Sequence, residues 1–126
     1  MKILTPEQIL ILHKDLMEQS GGLCGICDKN LFDSAVNAPF QSFNGQDLYP
    51  TLLEKAARLG YGLINNHPFI DGNKRTGTHA MLVFLGVNQV FLEYDDAALI
   101  ETILRVAAGT LNEKHLLAWL QEHIIP

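Results

Sequence analysis

The run "MLVFLGV" constrains this chain more than any other stretch, because Met81, Leu82, Val83, Phe84 and Leu85 leave a helix there almost no polar face. A helix apolar nearly all round has to sit in the middle of a domain, wrapped by other elements. It falls well short of the roughly 20 apolar residues that a membrane span needs, so burial has to come from the chain itself. Directly ahead of it stands "NNHPFIDGNKRTG", Asn65 to Gly77, where a histidine, an aspartate, a lysine, an arginine and two glycines crowd together. The central helix of the fold therefore starts at the most polar turn in the sequence.

The 126 residues fit one domain, 1-126, long enough for a core but too short for two. Apolar residues make up 48% and charged ones 18%, a globular composition. The formal net charge is −5 and no basic run offsets it, which argues against direct nucleic-acid binding by this chain alone. Any phosphate has to be held locally, by a few aimed groups. The start "MKILTPEQ" lacks a long apolar segment and a small-residue cleavage site, so a cytoplasmic location without a membrane anchor is expected.

Around the central helix, the spacing predicts about five more. Thr5-Pro6-Glu7-Gln8 opens the first, with Ile9, Leu12 and Leu16 inward, His13 near that face and Gly21-Gly22 at the end. Asp28 starts a short second helix carrying Phe32, Ala35 and Val36, which Pro39 stops. In "APFQSFNGQDLYP" the Asn44-Gly45 pair is a strong hairpin signal, so residues 40-48 are expected to form a small β-flap or ordered loop. Pro50 begins a third helix, with Lys55 and Arg58 expected in solvent. Asn88 is the expected left-handed exit of the central helix. A fifth helix then turns Leu99, Ile100, Ile103, Leu104 and Ala107 inward, and a last one, capped by Asn112, does so with Leu116, Leu117, Leu120 and Ile124.

Cys24 and Cys27 form a lone C-x-x-C in "GGLCGICD". A redox pair wants a thioredoxin-like βαβ setting and a structural zinc wants two more ligands nearby, and neither is evident. Two small, partly buried thiols in a glycine-rich connection are expected instead.

The polar turn supports a sharper reading. Pro68 biases His67 away from the helical region, so the third helix should finish by Asn66 and His67 should project from its end. Gly72 permits a backbone excursion before the next helix starts near Asn73 or Lys74. The first N–H groups of that helix form an anion site, and Lys74 and Arg75 strengthen it. Cations in a first turn oppose the helix dipole, which makes sense where an anion is expected. Asp71 beside a phosphate makes sense with Mg²⁺ between them. His67 is suited to take a proton from a hydroxyl. Each residue alone has an ordinary structural use: Asp71 as a cap, His67 bonded to a carbonyl, the cations in solvent. Together they point to phosphate chemistry.

With these residues in view, "HPFIDGNKR" resembles the Fic/Doc motif H-x-F-x-D-(A/G)-N-(G/K)-R, and the likeness extends through "GGLCGICDKNLFDSA", "YPTLLEKAARL" and the C-terminal helices. The short length and the lysine in "GNKR" resemble the Doc, or death-on-curing, branch of type II toxin–antitoxin systems. The resemblance implies an all-α bundle with a small flap. It makes His67 the base, Phe69 a core anchor and Asp71 the Mg²⁺ ligand, with Gly72, Asn73, Lys74 and Arg75 holding the phosphates of ATP. It further implies that the flap holds the target segment by strand-like pairing.

Lys74 stands where AMP-transferring relatives carry glycine, and Thr78 where they add a second arginine; both favour phosphoryl transfer to a protein hydroxyl. The implied target is a threonine of elongation factor Tu, and the implied regulator a separate antitoxin chain, since no inhibitory (S/T)-x-x-x-E-(G/N) helix is present. Pro68 and Gly72 fit either chemistry. The alternatives are AMP transfer and a non-catalytic module that binds an antitoxin or a ribosomal partner.

Overall fold

The computed structural model describes every residue from Met1 to Pro126. Its helices are α1 (Pro6–Ser20), α2 (Lys29–Asn37), α3 (Leu52–Asn66), α4 (Asn73–Val87), α5 (Asp96–Ala107) and α6 (Glu113–His123). The one sheet pairs strand β1 (Ser42–Phe43) with β2 (Gln46–Asp47), antiparallel. The architecture is the expected all-α bundle of six helices with a small β-flap.

Capping sets most boundaries. Thr5 Oγ1 accepts the Gln8 N–H at 3.1 Å while Gln8 Oε1 accepts the Thr5 N–H at 2.9 Å, a reciprocal box that opens α1. Gly21 closes it at φ 77°. Asp28 caps α2, and Asn112 caps α6 through the His115 N–H. At α3, Thr51 rather than Pro50 marks the start, because its hydroxyl accepts the Glu54 N–H at 3.1 Å and leaves Pro50 outside the helix. The hairpin turn uses Asn44 and Gly45 at φ 52° and 76°, the paired positive values a two-residue loop requires.

The core forms where α3 crosses α4. A Cβ on Gly77 would stand 2.8 Å from Ile64 Cγ1 and 3.1 Å from the Gly60 carbonyl oxygen, so the two backbones approach as only glycine allows. Leu63 and Ile64 meet Ala80, Met81 and Phe84 there, all essentially without solvent exposure. Leu116 and Leu120 of α6, Val106 of α5 and Ile9 of α1 close the shell around this pair. The apolar run is thus central, as its composition demands.

Several expectations about faces are corrected. In α1 the centre of the buried stripe is Ile9, His13 and Met17, with Leu12 and Leu16 only half-buried beside it. In α5 the buried residues are Thr102, Ile103 and Val106, while Ile100 and Leu104 are 59% and 52% exposed. Thr102 tolerates burial because its hydroxyl donates to the Ala98 carbonyl at 2.8 Å. Ile124 lies beyond α6, in an isolated bridge with Leu92. Gln89, at φ 65°, makes the left-handed exit from α4, since the Asn88 amide is engaged by the Phe84 carbonyl and by Lys2.

Lys55 and Arg58 do not lie in solvent. Lys55 is 2% exposed; its ammonium bonds the Tyr49 carbonyl and pairs with Asp47 Oδ2 at 3.2 Å, tying the hairpin to α3. Arg58 lies 5.9 Å and 5.8 Å from the ring centroids of Tyr49 and Tyr61 and reaches Glu113 at 3.4 Å. A guanidinium is weakly hydrated and stacks on aromatic faces, which suits this half-buried place. No helix is long and apolar enough to cross a membrane.

The α3–α4 crossing yields a test. Gly77→Ala gains helix propensity worth about 1 kcal/mol but forces overpacking that costs about 1–3 kcal/mol. Denaturant unfolding should therefore show net destabilisation, and a stabilised variant would mean the helices have room to spare.

Candidate active site

Between α3 and α4 the chain has to turn while presenting charge outward and keeping its backbone in place. α3 ends at Asn66, and His67 follows at φ 50°, ψ 52°. Pro68 disfavours the right-handed helical region for His67, and the residue takes the left-handed one, which histidine enters more readily than most side chains. The imidazole is exposed.

Phe69 then drives into the core at 2% exposure, stacked on the His13 ring at 3.9 Å and meeting Phe32 edge-on at 5.6 Å. Asn73 locks this residue from the other side: its Oδ1 accepts the Phe69 N–H at 2.9 Å and its Nδ2 donates to the Phe69 carbonyl at 3.1 Å. The Asn73 side chain is therefore committed to the turn, and what it can offer an anion is its backbone N–H.

Behind the turn runs the segment from Gly22 to Asp28. Ile26 bridges Phe69, Ile70 N–H donates to the Gly25 carbonyl at 3.0 Å, and Cys27 N–H donates to the Pro68 carbonyl at 2.7 Å. Leu23 N–H donates to Asp71 Oδ2 at 3.3 Å, and Gly72 N–H to Asp71 Oδ1 at 2.9 Å. Asp71 is thus aimed by two backbone donors rather than capping α4. Cys24 and Cys27 are both exposed, not partly buried, because the segment is held through its backbone and turns these side chains outward.

Gly72 is required twice over. Its φ is 74°, and a Cβ there would run into Met17 Cε and stand 2.9 Å from Met17 Sδ. As N-cap of α4 it brings no side-chain hydrogen bond, so the N–H groups of Asn73, Lys74 and Arg75 have no acceptor in the chain. Lys74 and Arg75 are exposed and form no ion pair. Helix dipole and cations therefore add at one point, an anion site.

His67, Asp71, Gly72, Asn73, Lys74 and Arg75 all line one open cavity of about 910 Å³. Apolar residues line it as well, among them Leu16, Leu82, Leu99, Ile100, Ile103 and Leu104. No three His, Cys, Asp or Glu side chains converge to hold a metal unaided. Asp71 alone suits a hard cation that takes its other oxygens from water and phosphate, as Mg²⁺ does.

A family model described as Fic/DOC matches residues 3–85, a span that contains every residue of this turn. The chain belongs to the Fic/DOC family. A Toxin Doc from Mycolicibacterium smegmatis (strain ATCC 700084 / mc(2)155) is 44% identical over 75 residues, covering 60% of this chain and 58% of that protein. A Protein kinase doc from Escherichia phage P1 is 27% identical over 112 residues, covering 89% of this chain and 87% of that protein. The match thus spans little more than half the length of the mycobacterial relative and most of the phage one. Both relatives carry the Doc name, and the chain stands on the Doc branch of the family.

Sequence reasoning missed the layer beneath the Fic/DOC motif. His13, Met17 and the Leu23 N–H support the turn from α1 and the following loop. The glycine pair in "GGLCG" was the available signal, since Gly22 also leaves no room for a Cβ, which would stand 2.7 Å from Met17 Sδ and 2.9 Å from Asp71 Oδ2.

Burial lowers the His13 pKa, and the Asp71 charge opposes this only in part. The unfolded chain thus takes up this proton at higher pH than the folded one. The stability from a neutral His13 is complete above about pH 6.5 and is lost as pH falls toward the lowered native value. Chemical unfolding across that range should show stability declining toward acid, with a shallower decline in His13→Phe; identical slopes would contradict a buried neutral imidazole.

Proposed function

We propose that this chain, acting as one Fic/Doc domain over residues 1-126, is a Doc-type toxin that phosphorylates a protein hydroxyl with Mg-ATP. The observation that carries the reading is the uncapped start of α4, with unpaired Lys74 and Arg75, beside Asp71 and His67 in one cavity. The phage relative's name, Protein kinase doc, supports the same chemistry.

In this reading the N–H groups of Asn73, Lys74 and Arg75, with the two cations, hold the phosphates of ATP. Asp71, aimed by the Leu23 and Gly72 N–H groups, is the protein ligand of Mg²⁺. When bound there, Mg²⁺ would supply neutralisation of the charge on the phosphate oxygens. His67 accepts the proton of the attacking hydroxyl; its oxygen bonds to the terminal phosphorus, the bond to the bridging oxygen breaks, and ADP leaves. Lys74 fills the position where AMP-transferring relatives have glycine, which favours transfer of the terminal phosphoryl group.

The exposed hairpin around Asn44 is the proposed holder of the target segment, by strand-like pairing, and a threonine of a translation factor such as elongation factor Tu is the proposed acceptor, with arrest of translation as the outcome. The apolar cavity wall with Ile100 and Leu104 suits a cognate antitoxin supplied as a separate chain. Such a target is a cytoplasmic one, and the cytoplasm is the proposed location.

The test uses ATP labelled at the α- or the γ-phosphate, Mg²⁺ and purified elongation factor Tu. Label from the γ-position and a phosphate-sized mass gain are expected, with His67→Ala slower by about 10²–10⁴-fold. Label from the α-position would establish AMP transfer instead. Undiminished toxicity of His67→Ala in cells would leave only a binding module.

A further inference from the structure

His13 belongs to no part of the motif, yet its imidazole touches three separate segments around the polar turn. It is 1% exposed, in the middle of α1. Its ring lies flat on Phe69, at 3.9 Å and 11° between planes. Nε2 stands 3.4 Å from the Gly25 backbone nitrogen, and Nδ1 stands 2.9 Å from Thr76 Oγ1 on the first turn of α4.

These contacts fix the tautomer. A backbone N–H can only donate, so Nε2 is the lone-pair nitrogen. The hydrogen then sits on Nδ1 and is given to the Thr76 hydroxyl. Thr76 follows Arg75, and Gly25 belongs to the segment whose Leu23 N–H aims Asp71. The ring therefore sets the separation between the carboxylate side and the helix side of the site.

A space-filling histidine would need only one bond and any packing. Here both nitrogens and one face are used, each on a different segment. We propose that His13 is a positioning residue: its neutral imidazole, hydrogen on Nδ1, clamps the Gly22–Asp28 segment to the first turn of α4 and so holds Asp71 in register with the anion site. The consequence for nucleotide rests on the function proposed above; the clamp itself does not.

His13→Phe retains a flat ring against Phe69 and loses both hydrogen bonds. Thr76→Val keeps the volume and loses only the acceptor. On the alkaline side of about pH 6.5, calorimetry with Mg-ATP should give affinities about tenfold weaker in both variants, the scale of one lost buried bond. Melting temperatures should fall by about 2–8 °C for each lost bond, with both variants still folded at the temperature of the titration. Parental affinity in both folded variants would overturn the proposal.

Nitrogen-15 spectra of the parent require no substrate and should show the hydrogen on Nδ1; a hydrogen on Nε2 overturns the proposal whatever the protein binds. Amide exchange should accelerate at Leu23 and Gly25 in Thr76→Val, and unchanged protection at both would do the same. A parent that binds no Mg-ATP would sink the proposed function and leave these two measurements to decide on the clamp.

Discussion

The burial of one aromatic ring organises the site. The turn from His67 to Gly72 joins two core helices, and of its three apolar residues Pro68 and Phe69 are buried while Ile70 is left 54% exposed. Burying a phenylalanine stabilises by roughly 1.5–3 kcal/mol, which offsets the ordering of one or two residues at about 1–2 kcal/mol each; the Asn73 bonds and the backbone bonds to the Gly22–Asp28 segment add the rest. Because Phe69 points in and Asn73 grips its backbone on both sides, the polar neighbours are left to point out. The precision of Asp71 and of the α4 start is thus inherited from packing rather than from contacts among the functional groups themselves.

Electrostatics then acts on a fixed frame. The chain carries a formal charge of −5, yet its cavity floor gathers an uncapped helix start and two unpaired cations. Lys74 and Arg75 each work against the helix dipole by roughly 0.3–1 kcal/mol while no anion is bound. That cost is relieved when an anion arrives, so the arrangement favours the occupied state. Local charge opposite to the global one also discourages long polyanions while admitting a compact one.

Legibility in the sequence followed the range of the interaction. Caps at Thr5, Asp28 and Asn112, the Asn44-Gly45 turn, the central apolar helix and the polar turn ahead of it are all encoded within a few residues, and each was readable. Where a partner arrives only once another element has folded into place, the reading failed or stopped short. Lys55 looks like a surface lysine until the hairpin folds back over it, and Arg58 until Glu113 arrives from α6. His13 is explained by Thr76, 63 positions away. The rotation of α5 was unreadable for a related reason: its sequence offers two apolar stripes, and only tertiary packing chooses Thr102, Ile103 and Val106 over Ile100 and Leu104.

Met17 fills a slot whose two walls are glycines, since a Cβ on Gly22 or on Gly72 would collide with its thioether. Positions 17, 22 and 72 therefore share a single volume although they lie on a helix, a loop and a helix cap. Drift at these three places cannot be independent: a larger residue at either glycine becomes admissible only after position 17 has shortened, and at Gly72 the left-handed backbone closes even that route. At Gly22 a Cβ would also stand 2.9 Å from Asp71 Oδ2, so the loop glycine answers to α1 and to the motif at once, and its history is tied to both.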